Sequence, residues 1–530
     1  MEKTIEKIDQ KALKHSRHDF FRLGVSILFM LIILLYTFLQ NGGIPDVTFL
    51  AIASVVGAYM AMNIGANDVA NNVGPAVGSK ALTLTGAIVI AVIFEASGAL
   101  IAGGDVVSTI KKGIIDPNMF ENSKVFIWAM LAALFGGAIW LNLATVMSAP
   151  VSTTHSIVGG VMGAGIASSG FDIVNWSKMG TIASSWVISP VLGGLVAALF
   201  LYIIKRTIFH KENMIESAKK VLPILISIMV FAFATYLSIK GIKKIVKIDF
   251  IMALFIGFAI AGSTYLVIRP MIIRAADKIK NTREDINSLF TIPLIFAAAL
   301  LSFAHGANDV ANAIGPLAAI NDALTSGEIA QKAQIPLWVM MVGALGIGVG
   351  LAMYGPKLIK TVGSEITELD QARAWSIAIA SAIVVIIASW LGLPVSSTHI
   401  AIGGIFGVGF LRIYVEGKYG THMDNMIKIR VSKIEKDITD LESKLNSSSD
   451  DNEKTVIYKE LESKKEEIIK SKAGIINFSK QEKKDLKKMK KEKYVKKEML
   501  IKIITAWLIT VPASALLSAI LFFTIKGIMV

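Results

Sequence analysis

Two short polar motifs each occur twice in the chain, and both contain residue types that bind ions. One motif reads Gly-Ala-Asn-Asp-Val-Ala-Asn and begins at Gly65 and again at Gly306. The other begins at Pro150 as Pro-Val-Ser-Thr-Thr-His and at Pro394 as Pro-Val-Ser-Ser-Thr-His. The copies lie 241 residues apart for the first motif and 244 for the second, so both recur in the same order at nearly one period. This pattern indicates an internal duplication.

The first motif carries the oxygen ligands that a hard cation such as Na⁺ prefers. Each copy places one carboxylate among asparagine amides in an apolar stretch, and a carboxylate at membrane depth marks a functional site by default. We expect the flanking glycine and Gly-Pro residues to break the helix and free carbonyl oxygens for the ion. We expect no transition-metal site, because the sequence has no His, Cys or Glu cluster for one. Helix capping is the simpler alternative. The predicted cation ligands are Asn67, Asp68, Asn71, Asn308, Asp309 and Asn312.

The second motif presents three hydroxyl groups at the predicted start of a helix. A helix N-terminus aims free N–H groups and the positive end of its dipole at an anion, and hydroxyls add donors that can surround a tetrahedral oxyanion. The alternative is that these hydroxyls only cap a helix or join two helices. Neither motif contains Lys or Arg, so a bound anion would depend on the cations for its charge balance. The predicted anion ligands are Ser152, Thr153, Thr154, Ser396, Ser397 and Thr398.

Three further titratable residues are candidates for coupling. His155 and His399 end the two copies of the second motif and could carry protons, although such histidines more often only hydrogen-bond a neighbour. Glu95 is an isolated acid within an apolar span, and its counterpart in the second half falls near Ile347, so any role would be asymmetric. His305 precedes only the second copy of the first motif, so we expect no symmetric role for it.

The composition indicates a membrane protein. Of the 530 residues, 54% are hydrophobic and 18% charged, against about 25% charged in soluble domains. Residues 412–500 hold 23 of the 54 Lys/Arg and 17 of the 40 Asp/Glu, so the remainder has too little charge for a soluble enzyme. The absence of cysteine excludes disulfides and thiol catalysis. The net charge of +14 lies beside apolar spans, which favours membrane topology over nucleic-acid binding.

Apolar segments of helical length predict the fold. Counting each Gly-rich stretch after the second motif as one crossing gives about 13 crossings, and the lysine and arginine distribution then places the N-terminus and residues 412–500 in the cytoplasm. We therefore predict an all-α polytopic bundle of two inverted repeats with broken or re-entrant helices, plus a cytoplasmic helical hairpin. The predicted segments are an N-terminal basic region with an extra helix (1–46), a first repeat (47–204), connecting helices (205–287), a second repeat (288–411), a coiled-coil hairpin (412–500) and a last transmembrane helix (501–530).

The polar insert has the pattern of a two-helix hairpin. Apolar residues from Ile427 to Leu445 follow a heptad seam, and residues 446–452 predict a turn. Ten lysines lie between Lys480 and Lys497. They predict a solvated cytoplasmic face or, alternatively, contact with anionic lipid headgroups. The hairpin could also pair with another subunit, and we expect a homo-oligomer, a dimer.

The doubled Gly-Ala-Asn-Asp-Val-Ala-Asn and the doubled Pro-Val-Ser-[Thr/Ser]-Thr-His resemble the motifs of the PiT family of inorganic phosphate transporters. The resemblance covers roughly residues 47–411 and the last span. It implies an inverted-repeat symporter of the plasma (inner) membrane, not an enzyme, that takes up phosphate with Na⁺ or H⁺ and has no other cofactor. By motif, the resemblance puts the cations at the Asn-Asp residues and the phosphate at the hydroxyl triplets.

Glu95 matches a transport-linked acid of eukaryotic relatives, and their second acid, which would fall near Ala378, is absent here. Two alternatives stay open at this point: a sulfate permease of the same fold, and an ion or anion channel lined by the same motifs.

Overall fold

The computed structural model describes residues 2–44, 46–147, 151–241, 246, 248–326, 335–365, 369–416, 421–447, 451–472 and 497–529. Pro150, the central part of the predicted turn and nearly all of the lysine-rich stretch 480–497 lie outside these residues. The chain forms two compact units, one comprising Met1–Val408 and Glu498–Val530 and the other Gly409–Lys497.

All regular structure in the described residues is helical, apart from one isolated bridge between Ile115 and Val174. This confirms the predicted all-α class. As far as residue 276 the helices are α1 (Glu2–Asn41), α2 (Val47–Asn67), α3 (Val69–Gly78), α4 (Leu84–Ala102), α5 (Gly104–Lys112), α6 (Ser123–Val146), α7 (Thr153–Ser169), α8 (Trp176–Ile204), α9 (Met214–Lys240) and α10 (Phe250–Ala276). The rest are α11 (Arg283–Ser288), α12 (Thr291–Ser326), α13 (Leu337–Glu365), α14 (Gln371–Trp390), α15 (Ser397–Glu416), α16 (Thr421–Ser447), α17 (Asp451–Lys472) and α18 (Lys497–Met529).

Eleven helical stretches in the described residues are long and apolar enough to cross a membrane, whereas the sequence predicted about thirteen crossings. The difference is α7 and α15, the Gly-rich helices that follow the second motif. The ends of α7 show how it runs: Asp116 N, before α6, donates to Ile173 O, after α7, at 2.8 Å, and Asn175 N donates to Ile114 O at 2.9 Å. The segment before α6 therefore lies next to the segment after α7, and the two helices form a hairpin.

The glycines of the first motif allow helices to pack closely rather than breaking them. In the first copy the helix is interrupted only at Asp68, between α2 and α3, and Asp68 itself has helical dihedral angles. In the second copy α12 runs unbroken through Gly306 and Gly315, so the prediction of a break there is wrong. A Cβ on Gly306 would overlap the carbonyl oxygen of Glu95, and one on Gly65 would overlap that of Ile347. Backbones can approach this closely only where a Cβ is missing.

The unit Gly409–Lys497 contains the charged helices α16 and α17. Val431 and Ile434 of α16 are buried, as are Ile457 and Leu461 of α17. Lys464 Nζ lies 2.8 Å from Asp437 Oδ2, which joins the two helices by an ion pair. This unit carries no residue of the duplicated motifs.

Candidate functional site

Asp68 binds hydroxyl groups from both halves of the chain. Its Oδ2 accepts a hydrogen bond from Thr153 Oγ1 at 2.6 Å, and its Oδ1 accepts one from Thr398 Oγ1 at 3.3 Å. Asp68 is 1% exposed and the two threonines are at most 2% exposed. Asn71, one helical turn further on, donates to Thr398 Oγ1 at 2.9 Å. The first Asn-Asp motif therefore contacts both hydroxyl triplets.

The second Asn-Asp motif contacts the same hydroxyl triplets from its own side. Ser397 Oγ donates to Asp309 Oδ2 at 3.2 Å. Asn312 Nδ2 donates to Thr153 Oγ1 at 3.2 Å and to Thr154 Oγ1 at 3.1 Å. Each carboxylate thus holds a hydroxyl of its own half, and each of the asparagines at positions 71 and 312 holds a hydroxyl of the other half.

The remaining predicted cation ligands fix the loops around the site. Asn67 Nδ2 donates to Thr145 Oγ1 at 3.0 Å. Asn308 Nδ2 donates to Ser389 Oγ at 2.9 Å, and its Oδ1 accepts from Val395 N at 3.2 Å. The amide of Asn67 therefore contacts α6, and the amide of Asn308 contacts the end of α14 and the segment that follows it.

Two prolines each deprive one backbone carbonyl oxygen of the first motif of its helical donor. Pro75 lies inside α3 and Pro316 inside α12. Proline has no N–H, so the carbonyl oxygens four residues earlier, those of Asn71 and Asn312, lose their usual helical donor. We expected a broken helix to free carbonyl oxygens here; in the structure the missing N–H of each proline has that effect instead. Such oxygens are suitable cation ligands.

Ser152 and Ser396 act as helix caps. Ser152 Oγ accepts from His155 N at 3.2 Å, and Ser396 Oγ accepts from His399 N at 3.3 Å. The capping alternative therefore holds for these two residues. Thr154 Oγ1 donates to Val395 O at 2.9 Å, which joins the loop of one half to that of the other.

His305 is part of the site, and the sequence did not predict this. Its Nε2 lies 2.8 Å from Asp309 Oδ2 and its Nδ1 lies 2.6 Å from Glu95 Oε2. Asn72 Nδ2 donates to the other oxygen of Glu95 at 2.9 Å. Glu95, a predicted coupling residue, is therefore linked to both Asn-Asp motifs. The signal for His305 in the sequence was its position four residues before Asp309, which places both on one face of a helix.

One atom from each of Asp68, His305 and Asp309 lies within 4.8 Å of the others, so these three groups could hold a metal ion. The expectation of no histidine-containing cluster is therefore wrong. Sequence distance explains the error, because Asp68 lies in the other half of the chain. Among the described residues, the ion-pair partner of Asp309 is a histidine, and neither motif carboxylate pairs with lysine or arginine.

His155 and His399 contact each other edge to face, and none of their ring nitrogens contacts the carboxylates among the described residues. Their ring centroids are 4.9 Å apart, and each packs on a tryptophan, Trp186 at 4.0 Å and Trp507 at 3.9 Å. Both histidines are buried, and within the described part of the chain none of their ring nitrogens has a hydrogen-bond partner. These ring contacts join α7, α8, α15 and α18 where the two hydroxyl loops meet.

Comparison with known proteins identifies similar chains. The profile of the phosphate transporter family matches residues 64–518. A protein named as a phosphate permease in Helicobacter pylori strain J99 is 47% identical over 522 residues, which are 97% of this chain and 96% of that protein. A protein named as a phosphate permease in Pyrococcus abyssi is 40% identical over 364 residues, 69% of this chain and 89% of its own. A solved structure, the sodium-dependent phosphate transporter, has 30% identity and a TM-score of 0.72, covering 91% of this chain and 100% of that chain.

Proposed function

The chain belongs to the phosphate transporter family, and we propose that it is a symporter that carries inorganic phosphate into the cell together with Na⁺. Members of this family and the relatives found are permeases and transporters, not enzymes. The relatives are named for phosphate, which favours phosphate over sulfate as the substrate. The chain is a multi-pass membrane protein, and uptake would take place at the plasma (inner) membrane.

One observation carries the proposal: Asp68 accepts hydrogen bonds from Thr153 and Thr398, one hydroxyl from each half. The cation and anion ligands thus share hydrogen bonds in one buried site. We infer that Na⁺ binds to the carboxylates of Asp68 and Asp309 and to the carbonyl oxygens freed by the two prolines. Phosphate would then bind to the hydroxyl triplets, with Thr153, Thr154, Ser397 and Thr398 as its principal donors.

This arrangement explains why the two ions would move together. Two buried carboxylates repel an entering anion, and no lysine or arginine pairs with them among the described residues. Cations bound at the carboxylates would reverse that repulsion at short range. Phosphate affinity should therefore depend on Na⁺ occupancy. The name of the similar solved structure, a sodium-dependent phosphate transporter, supports Na⁺ as the coupling ion, and H⁺ is the other candidate.

Uptake of radiolabelled phosphate into proteoliposomes tests the proposal. We expect a strong loss of uptake when choline replaces external Na⁺ at fixed pH and membrane potential. Accumulation of phosphate above equilibrium, driven by the Na⁺ gradient, would exclude the channel alternative, since a channel cannot concentrate its substrate. Uptake that is unchanged in choline would exclude Na⁺ coupling, and a pH-independent preference for sulfate over phosphate in competition would exclude phosphate as the substrate.

Two variants test the site itself. In Asp68→Asn and in Asp309→Asn we expect uptake to fall by more than about tenfold, because about 1.4 kcal/mol of lost ion binding corresponds to a factor of ten. Asp172→Asn is the control, because this carboxylate is exposed and lies outside the motifs. Normal uptake in both site variants would contradict the assignment of the cation ligands.

A further inference from the structure

We propose that Trp186 is a positioning residue that sets the spacing between the two hydroxyl triplets, and that this spacing makes the site prefer phosphate to a larger tetrahedral anion. The inference rests on the proposed function, because it concerns the phosphate ligands of the same site. Trp186 lies on α8, outside both duplicated motifs.

The loop that leads into the second triplet, residues 393–396, contains no helix or strand, so side chains have to hold its backbone in place. Asn308 forms two hydrogen bonds with it, at 3.1 and 3.2 Å. Thr154, from the first triplet, donates to it at 2.9 Å. The carbonyl oxygen of Pro394, at the centre of the loop, accepts a hydrogen bond from Trp186 Nε1 at 3.0 Å. A tryptophan of the first half therefore binds the backbone of the loop in the second half.

The ring of Trp186 contacts the other triplet from the same position. Its centroid lies 4.0 Å from that of His155, which follows Thr154 directly in the chain. One side chain thus touches the end of the first triplet with its ring and the loop before the second triplet with its N–H. In the other half Trp507 packs on His399 at 3.9 Å, so a tryptophan ring contact recurs at each triplet.

The indole hydrogen bond matters because the carbonyl it satisfies is buried. Pro394 is buried, and a buried carbonyl that loses its donor is costly enough to make the backbone move toward another. Such a movement would shift the second triplet relative to the first.

The spacing of the triplets decides how well an anion fits between them. In the proposed function phosphate accepts hydrogen bonds from Thr153 and Thr154 on one side and from Ser397 and Thr398 on the other. Hydrogen bonds from hydroxyls span only about 2.5–3.0 Å, and a binding site needs its ligands placed to within about 0.5 Å. A site whose two sides can shift would therefore discriminate less between anions of different size.

Competition between phosphate and arsenate tests this inference. Arsenate has the charge and the tetrahedral shape of phosphate but longer bonds. Uptake of radiolabelled phosphate into proteoliposomes at saturating Na⁺ gives the KM for phosphate, and unlabelled arsenate as competitor gives its inhibition constant. In the unmodified protein we expect the arsenate constant to be the larger of the two.

Trp186→Phe keeps an aromatic ring beside His155 and removes the indole N–H. We expect the KM for phosphate to rise by about fivefold, the factor that corresponds to one hydrogen bond. The arsenate constant should rise less, so that the preference for phosphate over arsenate falls by about twofold.

Trp176→Phe is the matched control. Trp176 lies ten residues earlier on the same helix, about 15 Å away along its axis. It is exposed, and its Nε1 donates to Phe171 O at 3.2 Å. This variant loses the same kind of hydrogen bond away from the triplets, and both constants should stay as in the unmodified protein.

Four results would overturn the inference and leave the proposed function intact. They are equal constants for the two anions in the unmodified protein, unchanged constants in Trp186→Phe, a rise of both constants by the same factor, and a lower maximal rate with an unchanged KM. The last is what a purely structural role of Trp186 would produce. Absence of Na⁺-driven phosphate uptake by the unmodified protein would overturn both the inference and the proposed function.

A second variant keeps the inference testable if Trp186→Phe does not elute as a folded protein on size exclusion. Replacement of Trp186 by 3-benzothienylalanine keeps the two fused rings and their packing on His155, and puts a sulfur atom in place of the N–H. We expect the same rise in the KM for phosphate and the same fall in preference, and no change in either would overturn the inference.

Discussion

The two halves of the site have the same backbone packing and differ in the side chains buried beside it. Gly65 and Gly306 each press against the carbonyl oxygen of a neighbouring helix. Ile64 and Ile347 lie beside the Gly65 contact, and His305 and Glu95 lie beside the Gly306 contact. A backbone contact of this kind excludes any Cβ, whereas a side-chain pocket accepts either an apolar pair or a polar pair whose hydrogen bonds are satisfied. The side chains beside one of the two glycine contacts could therefore become polar without a change in backbone packing.

The hydroxyl contacts, in contrast, link the halves to each other. Thr398 donates to Asp68 and Asn312 donates to Thr153, each across from one half to the other. A substitution in one half of the chain can therefore alter the hydrogen bonds around the carboxylate of the other half. This makes the two halves comparable by matched substitutions, because each position has a counterpart in the same site.

The largest effect, a loss of fold stability, should follow from substitution of the two equivalent glycines, Gly65 and Gly306. Gly65→Ala and Gly306→Ala each put a methyl group onto a backbone carbonyl that cannot move aside. We expect each to destabilise the fold by about 3 kcal/mol, the upper range for overpacking. The thermal midpoint of the detergent-solubilised protein measures this loss.

Gly262→Ala is the control for the glycine pair, because a Cβ at Gly262 has nothing within 4 Å. It should fold and transport normally. A normal midpoint for Gly306→Ala beside a lowered one for Gly65→Ala would show that the two halves are not packed alike.

A smaller and unequal effect should follow from removing one hydroxyl in each half. Thr153 and Ser397 are equivalent positions; Thr153 donates to Asp68 at 2.6 Å and Ser397 to Asp309 at 3.2 Å. In Thr153→Val we expect the Na⁺ concentration for half-maximal uptake to rise by roughly tenfold, since a hydrogen bond to a charged group is worth about 1.5–3 kcal/mol. In Ser397→Ala the rise should be smaller, roughly threefold, because the bond lost is longer and His305 still holds Asp309.

The Na⁺ dependence of phosphate uptake measures both variants. The comparison needs equal amounts of folded protein in the vesicles. Equal losses in Thr153→Val and Ser397→Ala would mean that His305 gives Asp309 no additional support, and would remove the functional difference between the halves.

Much of the fold and of the site could be predicted from the sequence because the signals are local. Apolar length predicted an all-helical membrane protein, and the repeated motifs identified Asp68 and Asp309, each of which accepts a hydrogen bond from a hydroxyl of the second motif. The Glu95–His305 contact could not be predicted, because it joins residues 210 positions apart. The counterpart of Glu95 was expected near Ile347, and the two glycine contacts pair these positions.

The role of the glycines was misjudged for a physical reason. A missing Cβ allows both an irregular backbone and a close helix contact, and the sequence does not distinguish the two. In α12 the helix continues through Gly306, and the neighbouring helix explains why glycine is needed there.

The smallest effect on phosphate uptake should follow from substitution of His155 and His399, which are equivalent positions with matching ring contacts in the two halves. Each ring packs at a tilt against a tryptophan and edge to face against the other histidine, and no ring nitrogen has a partner among the described residues. Phenylalanine has a similar ring without unsatisfied polar atoms, and replacing such atoms by an apolar group of the same shape is nearly neutral or stabilising. In His155→Phe and His399→Phe we therefore expect uptake within about twofold of normal and an unchanged or higher thermal midpoint. A large loss of uptake in a normally folded variant would instead indicate that these imidazoles carry protons, and the coupling residues would then be symmetric, contrary to the difference between the halves at His305.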